Sequence, residues 1–259
     1  MINMTVIIPV HKFDSTVQKY LERALASIPN GIKVSIASPE LVCGSLAPYI
    51  NDRVNVIACG DKTSFQALVN CAVEHLDGTE WFSILEFDDE YTPYWFDEVE
   101  NYIKAYPSTS VFMPLTDIMR EEDGKTVFVG YGNEAPLASA FSNELGFIDS
   151  EVLENYFDFY MTGSVFNVHD YTISGGLKES MKLTFWYEFM LRMTHKDKKF
   201  QVIPKVGYRH LVDRKDSLYE EYKNTLTSEE QEWWFSLAKE EYRYTKDRNK
   251  QYSKTEGED

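Results

Sequence analysis

Apolar positions along the chain change their period several times, and each change marks an element. Thr5, Val6, Ile7, Ile8, Pro9 and Val10 make a short apolar run rich in β-branched residues, the pattern of a strand buried on both faces of a parallel sheet. After the loop His11-Lys12-Phe13-Asp14 the period lengthens. Val17, Leu21, Leu25 and Ile28 recur at helical spacing behind a capping box of Ser15 and Gln18, and Asn30-Gly31 closes the helix. Residues 33–37 and 54–58 repeat the strand pattern, and Phe65, Leu68, Val69, Ala72 and Val73 mark one face of a helix between Ser64 and Leu76. A strand over 81–85, a helix opened by Pro93 with Trp95, Phe96, Val99 and Ile103 on one face, and a strand over 110–115 continue the alternation. Such alternation predicts an α/β fold, a Rossmann-type and mostly parallel sheet flanked by helices.

The second half is less regular and reads as α+β. A turn at 122–125 precedes a strand over 126–131, a helix follows near 150–159, another spans 182–194, and a strand over 200–203 ends at Pro204. From Thr227, whose capping box includes Glu230, the residues Trp233, Trp234, Leu237 and Ala238 form one stripe of an amphipathic helix over 225–246. Residues 247–259 are charged and nearly free of aliphatic side chains, the composition of a disordered tail.

Composition narrows the partners. The 259 residues carry a net charge of -16, which repels polyanions and excludes nucleic acid as a partner; an anionic diphosphate would have to be met through a metal ion. No apolar run reaches eighteen residues, so no membrane insertion is expected, and the opening residues lack a signal-peptide pattern; the expectation is a soluble, cytoplasmic protein. Cys43, Cys59 and Cys71 are odd in number and show no CxxC spacing, which predicts buried free thiols.

Ligands of open α/β sheets bind beyond the carboxyl ends of the strands, so His11, Asp14, Ser38, Asp61, Lys62, Glu86, Asp88 and Asp89 converge on one crevice. No Walker A or G-x-G-x-x-G sequence follows the first strand, which removes the common P-loop and dinucleotide readings. The segment Glu86-Phe87-Asp88-Asp89 is the strongest chemical signal. Carboxylates two residues apart reach one hard cation, Mg²⁺ or Mn²⁺; the plainer alternative is an acidic loop that caps the helix opened by Pro93.

Three blocks, in order, resemble the family 2 glycosyltransferases of the GT-A fold. They are Val6-Ile7-Ile8-Pro9-Val10-His11, then Asn70 with Ile84-Leu85-Glu86-Phe87-Asp88-Asp89, which is similar to the family's D-x-D-D strand end, and finally Ser174-Gly175-Gly176-Leu177-Lys178-Glu179-Ser180 through Leu191-Arg192, which is similar to its G-G-F-D-E block and following helix. The resemblance spans roughly residues 4–218. It implies a nucleotide-binding half over 1–116 and an acceptor-side half over 117–224 of one domain, a nucleotide-sugar donor (a UDP-sugar), a carbohydrate or other glycosyl acceptor, and Mn²⁺ or Mg²⁺ as cofactor. Pro9, Val10, His11, Asp14, Asp61 and Asn70 would meet the nucleotide, Glu86, Asp88 and His210 the metal and diphosphate, and Gly175 and Gly176 the donor sugar or acceptor.

Two positions depart from the family pattern. Glu86 stands where the family has Asp, and Phe185 and Trp186 stand where its E-D pair supplies the base for an inverting transfer. Glu188 follows Trp186 by two residues, about 200° around a helix, and so does not simply take that place; Glu179 and Asp170 are the other candidates, each also readable as a surface or capping carboxylate. The rival readings are a non-catalytic GT-A binding module and, as a third, a nucleotidyltransferase lacking its Gly-rich opening loop.

Overall fold

The opening apolar run forms β1 (Met4–Pro9), buried along its whole length. A computed structural model describes residues 2–138, 144–214, 217–225, 227–229, 232–233, 236 and 240. Helix α1 (Ser15–Ser27) is capped by Asp14 and not by the expected Ser15: Asp14 Oδ1 accepts the N–H groups of Thr16 and Val17, each at 2.9 Å. Then come β2 (Lys33–Ser38), α2 (Glu40–Leu46), β3 (Val54–Ala58), α3 (Phe65–Glu74) and β4 (Trp81–Ile84). Helix α2 escapes the periodicity because it buries only Leu46 and leaves Leu41 97% exposed. Beyond the acidic segment lie β5 (Glu90–Tyr91), α4 (Trp95–Ala105), β6 (Thr109–Glu122), β7 (Lys125–Gly132) and β8 (Phe147–Ile148). The chain continues with α5 (Ser150–Asn155), β9 (Val165–Asn167), α6 (Val168–Ser174), α7 (Phe185–His195), β10 (Lys199–Val212) and α8 (Leu218–Thr225).

Among the described residues ten strands join one sheet in the order β3-β2-β1-β4-β9-β6-β10-β5, with β7 added to β6 and β8 to β10. The block β3-β2-β1-β4 is parallel, as is the β6–β10 pair, and the three-residue β9 bridges them antiparallel. Strand β10 does not stop at Pro204 as expected. A register shift between Val202 and Val206 accommodates the residue that cannot donate to the ladder, and pairing to β6 resumes to Val212.

Adjacent strand residues feed opposite layers. Ile7 enters a cluster with α3 and α7 that contains Phe82, Phe166 and Phe189, while Ile8 enters one with α1 and α4 that contains Leu21, Trp95 and Tyr208. The expectation of three free thiols fails at two positions: Cys59, just past β3, is disulfide-bonded to Cys71 on α3, and Cys43 keeps its thiol. Among the described residues no helix is long and apolar enough to cross a membrane. Most of the expected 225–246 helix, and all of 247–259, lie outside the described residues.

Candidate functional site

At the end of β4, Leu85 N–H still donates to Ile7 O at 2.9 Å, and then the backbone turns, Asp89 N–H donating to Glu86 O at 3.1 Å. The turn therefore projects its side chains beyond the carboxyl ends of β1 and β4. Its first residue is held from β10, where Tyr208, fully buried, accepts the Glu86 N–H on its hydroxyl at 3.1 Å. Tyr208 has room because residue 163 is glycine, at φ +79°; a Cβ there would overlap the Tyr208 ring.

Asp89 is the hinge of the site. One carboxylate oxygen lies 2.8 Å from His210 Nδ1 and the other accepts the Leu211 N–H at 2.8 Å, so β10 carries the imidazole to the acidic turn. Glu86, Asp89 and His210 each present a ligand atom, all within 4.8 Å of one another. Burial, then the neighbouring Asp89 carboxylate, pushes the Glu86 carboxyl up to about 8, and the same two causes push Asp88 up to about 6. Burial alone would lower the His210 imidazole, but Asp89 beside it, with Glu86 and Asp88, holds it up at about 10. Protons held by crowded carboxylates compete with a cation for the same oxygens, so any metal affinity of this cluster would be pH-dependent. Two carboxylates and an imidazole are a donor set that suits Mn²⁺ or Mg²⁺.

The trio assembled here differs by one residue from the expected Glu86, Asp88 and His210. Asp88 points elsewhere: its Oδ2 lies 2.5 Å from Arg214 Nη1, and that guanidinium sits 5.0 Å from the centres of both the Tyr20 and Phe87 rings. Neighbouring residues of a tight turn project in different directions, so Asp89 rather than Asp88 lies beside Glu86 and His210. The alternative of a helix-capping acidic loop finds no support, because α4 has no side-chain cap and begins after Tyr94.

Around this centre the remaining residues fall into two groups. Val10, which follows Pro9 at the end of β1, is tied to β2 through its N–H to Ala37 O (2.9 Å) and its O to Ser38 Oγ (2.8 Å), and the His11 ring lies 6.3 Å from Phe87. Asp14, exposed, spends its carboxylate on the α1 cap, and Asp61 is exposed in the turn after β3. On the other flank Asn70 clamps the glycine loop. Its Nδ2 donates to Leu177 O at 2.8 Å, and its Oδ1 accepts Leu177 N–H at 2.9 Å and the Tyr171 hydroxyl at 2.8 Å. Gly175, at φ +91°, ends α6, and a Cβ on Gly176 would come within 2.6 Å of Asn70 Oδ1. Arg192 completes the clamp by donating to Ser174 O and, at 2.7 Å, to Gly176 O.

The candidate bases fare unequally. Glu188 is fully buried, held by Arg192 through two contacts of 2.9 Å and by Lys178 at 3.0 Å, so its place is in the scaffold. Trp186 stacks on Phe166 at 5.8 Å and 13°, and Phe185 packs against Phe65, so both are half-buried rings packed against the core. Glu179 remains near the surface, 3.4 Å from both Lys62 Nζ and Asn70 Nδ2, and Asp170 is engaged by Lys198 and Ser110. Sequence reasoning missed Tyr208, the pairing of Arg214 with Asp88, and Tyr160, whose ring lies 5.5 Å from His210; no motif announces any of them.

These elements and their order define a GT-A fold. The chain is similar to residues 1–349 of S. aureus TarS in complex with UDP-GlcNAc, with a TM-score of 0.60 at 12% identity over 84% of this chain and 60% of that one. It is likewise similar to TarS 1–349 in complex with UDP (TM-score 0.55, 12% identity, 82% and 61% covered) and to a longer TarS chain (0.54, 13%, 82% and 37%). The chain thus spans about 60% of the shorter TarS structures. No family model matches the sequence, and no curated protein matches it.

Proposed function

We propose that the chain binds a nucleotide-diphosphate sugar, specifically a UDP-sugar, and transfers the sugar to a carbohydrate or other hydroxyl-bearing acceptor in a metal-dependent reaction. The observation that carries this reading is the Glu86, Asp89 and His210 cluster at the strand ends of a fold shared with a structure that holds UDP-GlcNAc. Glu86, Asp89 and His210 would hold Mn²⁺ or Mg²⁺, which when bound supplies Lewis-acid stabilisation to a departing diphosphate. The β1 end from Pro9 to His11 and the turn at Asp61 flank the place for the nucleoside. The loop at Gly175 and Gly176, pinned by Asn70 and Arg192, presents rigid backbone to the donor sugar or acceptor.

One observation favours a second reading, a GT-A module that binds without turnover. At the position of the family's base the chain has aromatic rings packed against the core, and the nearest helix carboxylate, Glu188, is sealed in ion pairs. Thermal unfolding with UDP-GlcNAc and other UDP-sugars, with and without Mn²⁺, tests binding. With ligand at ~100 times Kd the midpoint should rise by about 5–10 °C only when metal and nucleotide are both present. Asp89→Ala should abolish the rise and Asp88→Asn should leave its metal dependence intact. Stabilisation without hydrolysis or transfer would select the binding module, and stabilisation indifferent to metal would remove the cation from the proposal.

A further inference from the structure

On the other side of β10 from His210 lies a second cleft. Side chains alternate along a strand, so Arg209 and Leu211 point away from His210. With their cross-strand partners Asp117 and Met119 on β6 they floor a cavity of about 290 Å³, walled by Arg23, Asp88 and Glu90 and closed on the far side by Thr126 and Phe128 of β7. This volume is near the lower end for small-ligand pockets, of order 300 Å³.

The edge strand supplies an unusual rim. Pairing between β6 and β7 slips at one point, where Ile118 faces Gly130 but Met119 faces Phe128, leaving Val129 as the extra residue of a bulge. The slip brings Phe128, opposite Met119, and Tyr131, opposite Asp117, onto the same face although they are three residues apart. Their rings stand 4.8 Å apart at 59°, and both side chains remain exposed, Phe128 at 52% and Tyr131 at 55%. Exposing two neighbouring rings costs hydrophobic free energy that the core does not recover, and Phe128 stands in the wall of the cleft with Tyr131 beside it.

The lining selects the ligand's chemistry by exclusion. The guanidiniums at the cleft, Arg23, Arg209 and Arg214, each face a carboxylate of its lining, so in a chain of net charge -16 the cleft holds no surplus of positive charge to draw in an anion. An apolar ligand would strip water from five charged groups without replacing their hydrogen bonds. A cation has only paired carboxylates to meet, since Glu90 is bonded to Arg23, Asp88 to Arg214, and Asp117 lies 3.9 Å from Arg209. What remains is a neutral molecule with many hydroxyls and one apolar face: the hydroxyls bond to the planar carboxylate and guanidinium groups, and the apolar face covers Phe128 and Tyr131.

We infer that this cleft, formed by β6, β7 and β10 behind the acidic turn, is a binding site for a neutral saccharide, separate from the donor site. Its occupation does not depend on the transferase reading. Asp88 and Asp89 are consecutive, so a saccharide here lies one residue from the metal cluster without touching its ligands.

The test is a titration of the full chain, labelled with ¹⁵N, with methyl glycosides of glucose and N-acetylglucosamine and with their β-linked disaccharides, read by amide chemical shifts. Perturbations centred on β6, β7 and β10 and extending to Arg23, Asp88 and Glu90 are the expected result, with Phe128→Ala and Tyr131→Ala each weakening binding by about tenfold. Tighter binding of the disaccharides than of the monosaccharides would identify a glycan chain as the natural occupant; equal binding would identify a free sugar. Both variants should keep their amide dispersion, because the two rings are exposed, and should keep any Mn²⁺-dependent UDP-GlcNAc binding. No shift at ~50 mM saccharide, weaker than any useful pocket, or shifts centred on Glu86 and His210 and indifferent to Phe128→Ala, would overturn the site. Saccharide binding without any response to UDP-GlcNAc would sink the donor reading and leave this one standing.

Discussion

Glu188 shows how one residue's surroundings decide its role. A base must meet the acceptor's proton, yet this carboxylate has no exposed surface, and Arg192 and Lys178 hold it within the helix packing. Burying such a pair is at best neutral against an apolar alternative, but removing one member strands a charge and costs about 3–5 kcal/mol. Arg192→Ala should therefore lower the unfolding free energy by an amount in that range in chemical denaturation, and it also removes the donors to Ser174 O and Gly176 O. Glu188→Gln separates the two roles. A scaffold residue loses stability while any transfer activity per folded molecule persists, and a base loses activity with the fold unchanged. Helical spacing already turned Glu188 away from the Trp186 position, but it could not say that Arg192 and Lys178 would close over that carboxylate.

At the level of elements, α6 is fastened to the sheet by Asp170, whose carboxylate meets Lys198 Nζ at 2.6 Å and the Ser110 hydroxyl at 2.6 Å. Burial would raise this carboxyl, but the bonds from Lys198 and Ser110 outweigh it and hold the group below the usual range. A folded-state pKa below the unfolded one, about 3.9, gives stability that is full above the unfolded value and lost as pH falls through the folded one. The stability gap between wild type and Asp170→Asn should thus be constant from neutral pH to about pH 5 and should shrink below about pH 4. A gap that persists undiminished in acid would show that the ion pair is not its source. Helix α6 and strand β9 left no mark in the sequence pattern. Val165–Asn167 offers three residues, too few to show a period, and its place between β4 and β6 is set by partners far away in the chain. By contrast β1, α3 and α4 were readable because each buries one continuous run or stripe. Pro204 misled for a physical reason: it forbids a ladder hydrogen bond but not a bulge.

For the whole molecule the net charge of -16 sets the terms on which an anionic donor can approach. The clustering of carboxylates at the end of the fourth strand was legible, but sequence could not say which of two adjacent aspartates turns toward His210, since that depends on β10 returning beside β5 to offer the Leu211 N–H. Nor could it show that Arg214 would fold back onto Asp88. Those two facts define competing ways to neutralise a diphosphate: a divalent cation on Glu86, Asp89 and His210, or the Arg214 guanidinium released from Asp88. Salt discriminates between them. Without divalent metal, a chain of this charge repels UDP over about 8–10 Å, and screening weakens that repulsion, so metal-free affinity should rise or stay level between ~50 and ~300 mM NaCl. If Arg214 supplied the contact, screening would weaken an attraction and affinity would fall over the same range. With Mn²⁺ present, a cation bound among the buried ligands converts the local field to attraction, so affinity should be higher throughout and should decline as salt is added. Calorimetric titration of UDP at several salt concentrations, with and without Mn²⁺, reads the sign of each slope directly, and a falling metal-free slope that disappears in Arg214→Gln would assign the diphosphate to the arginine.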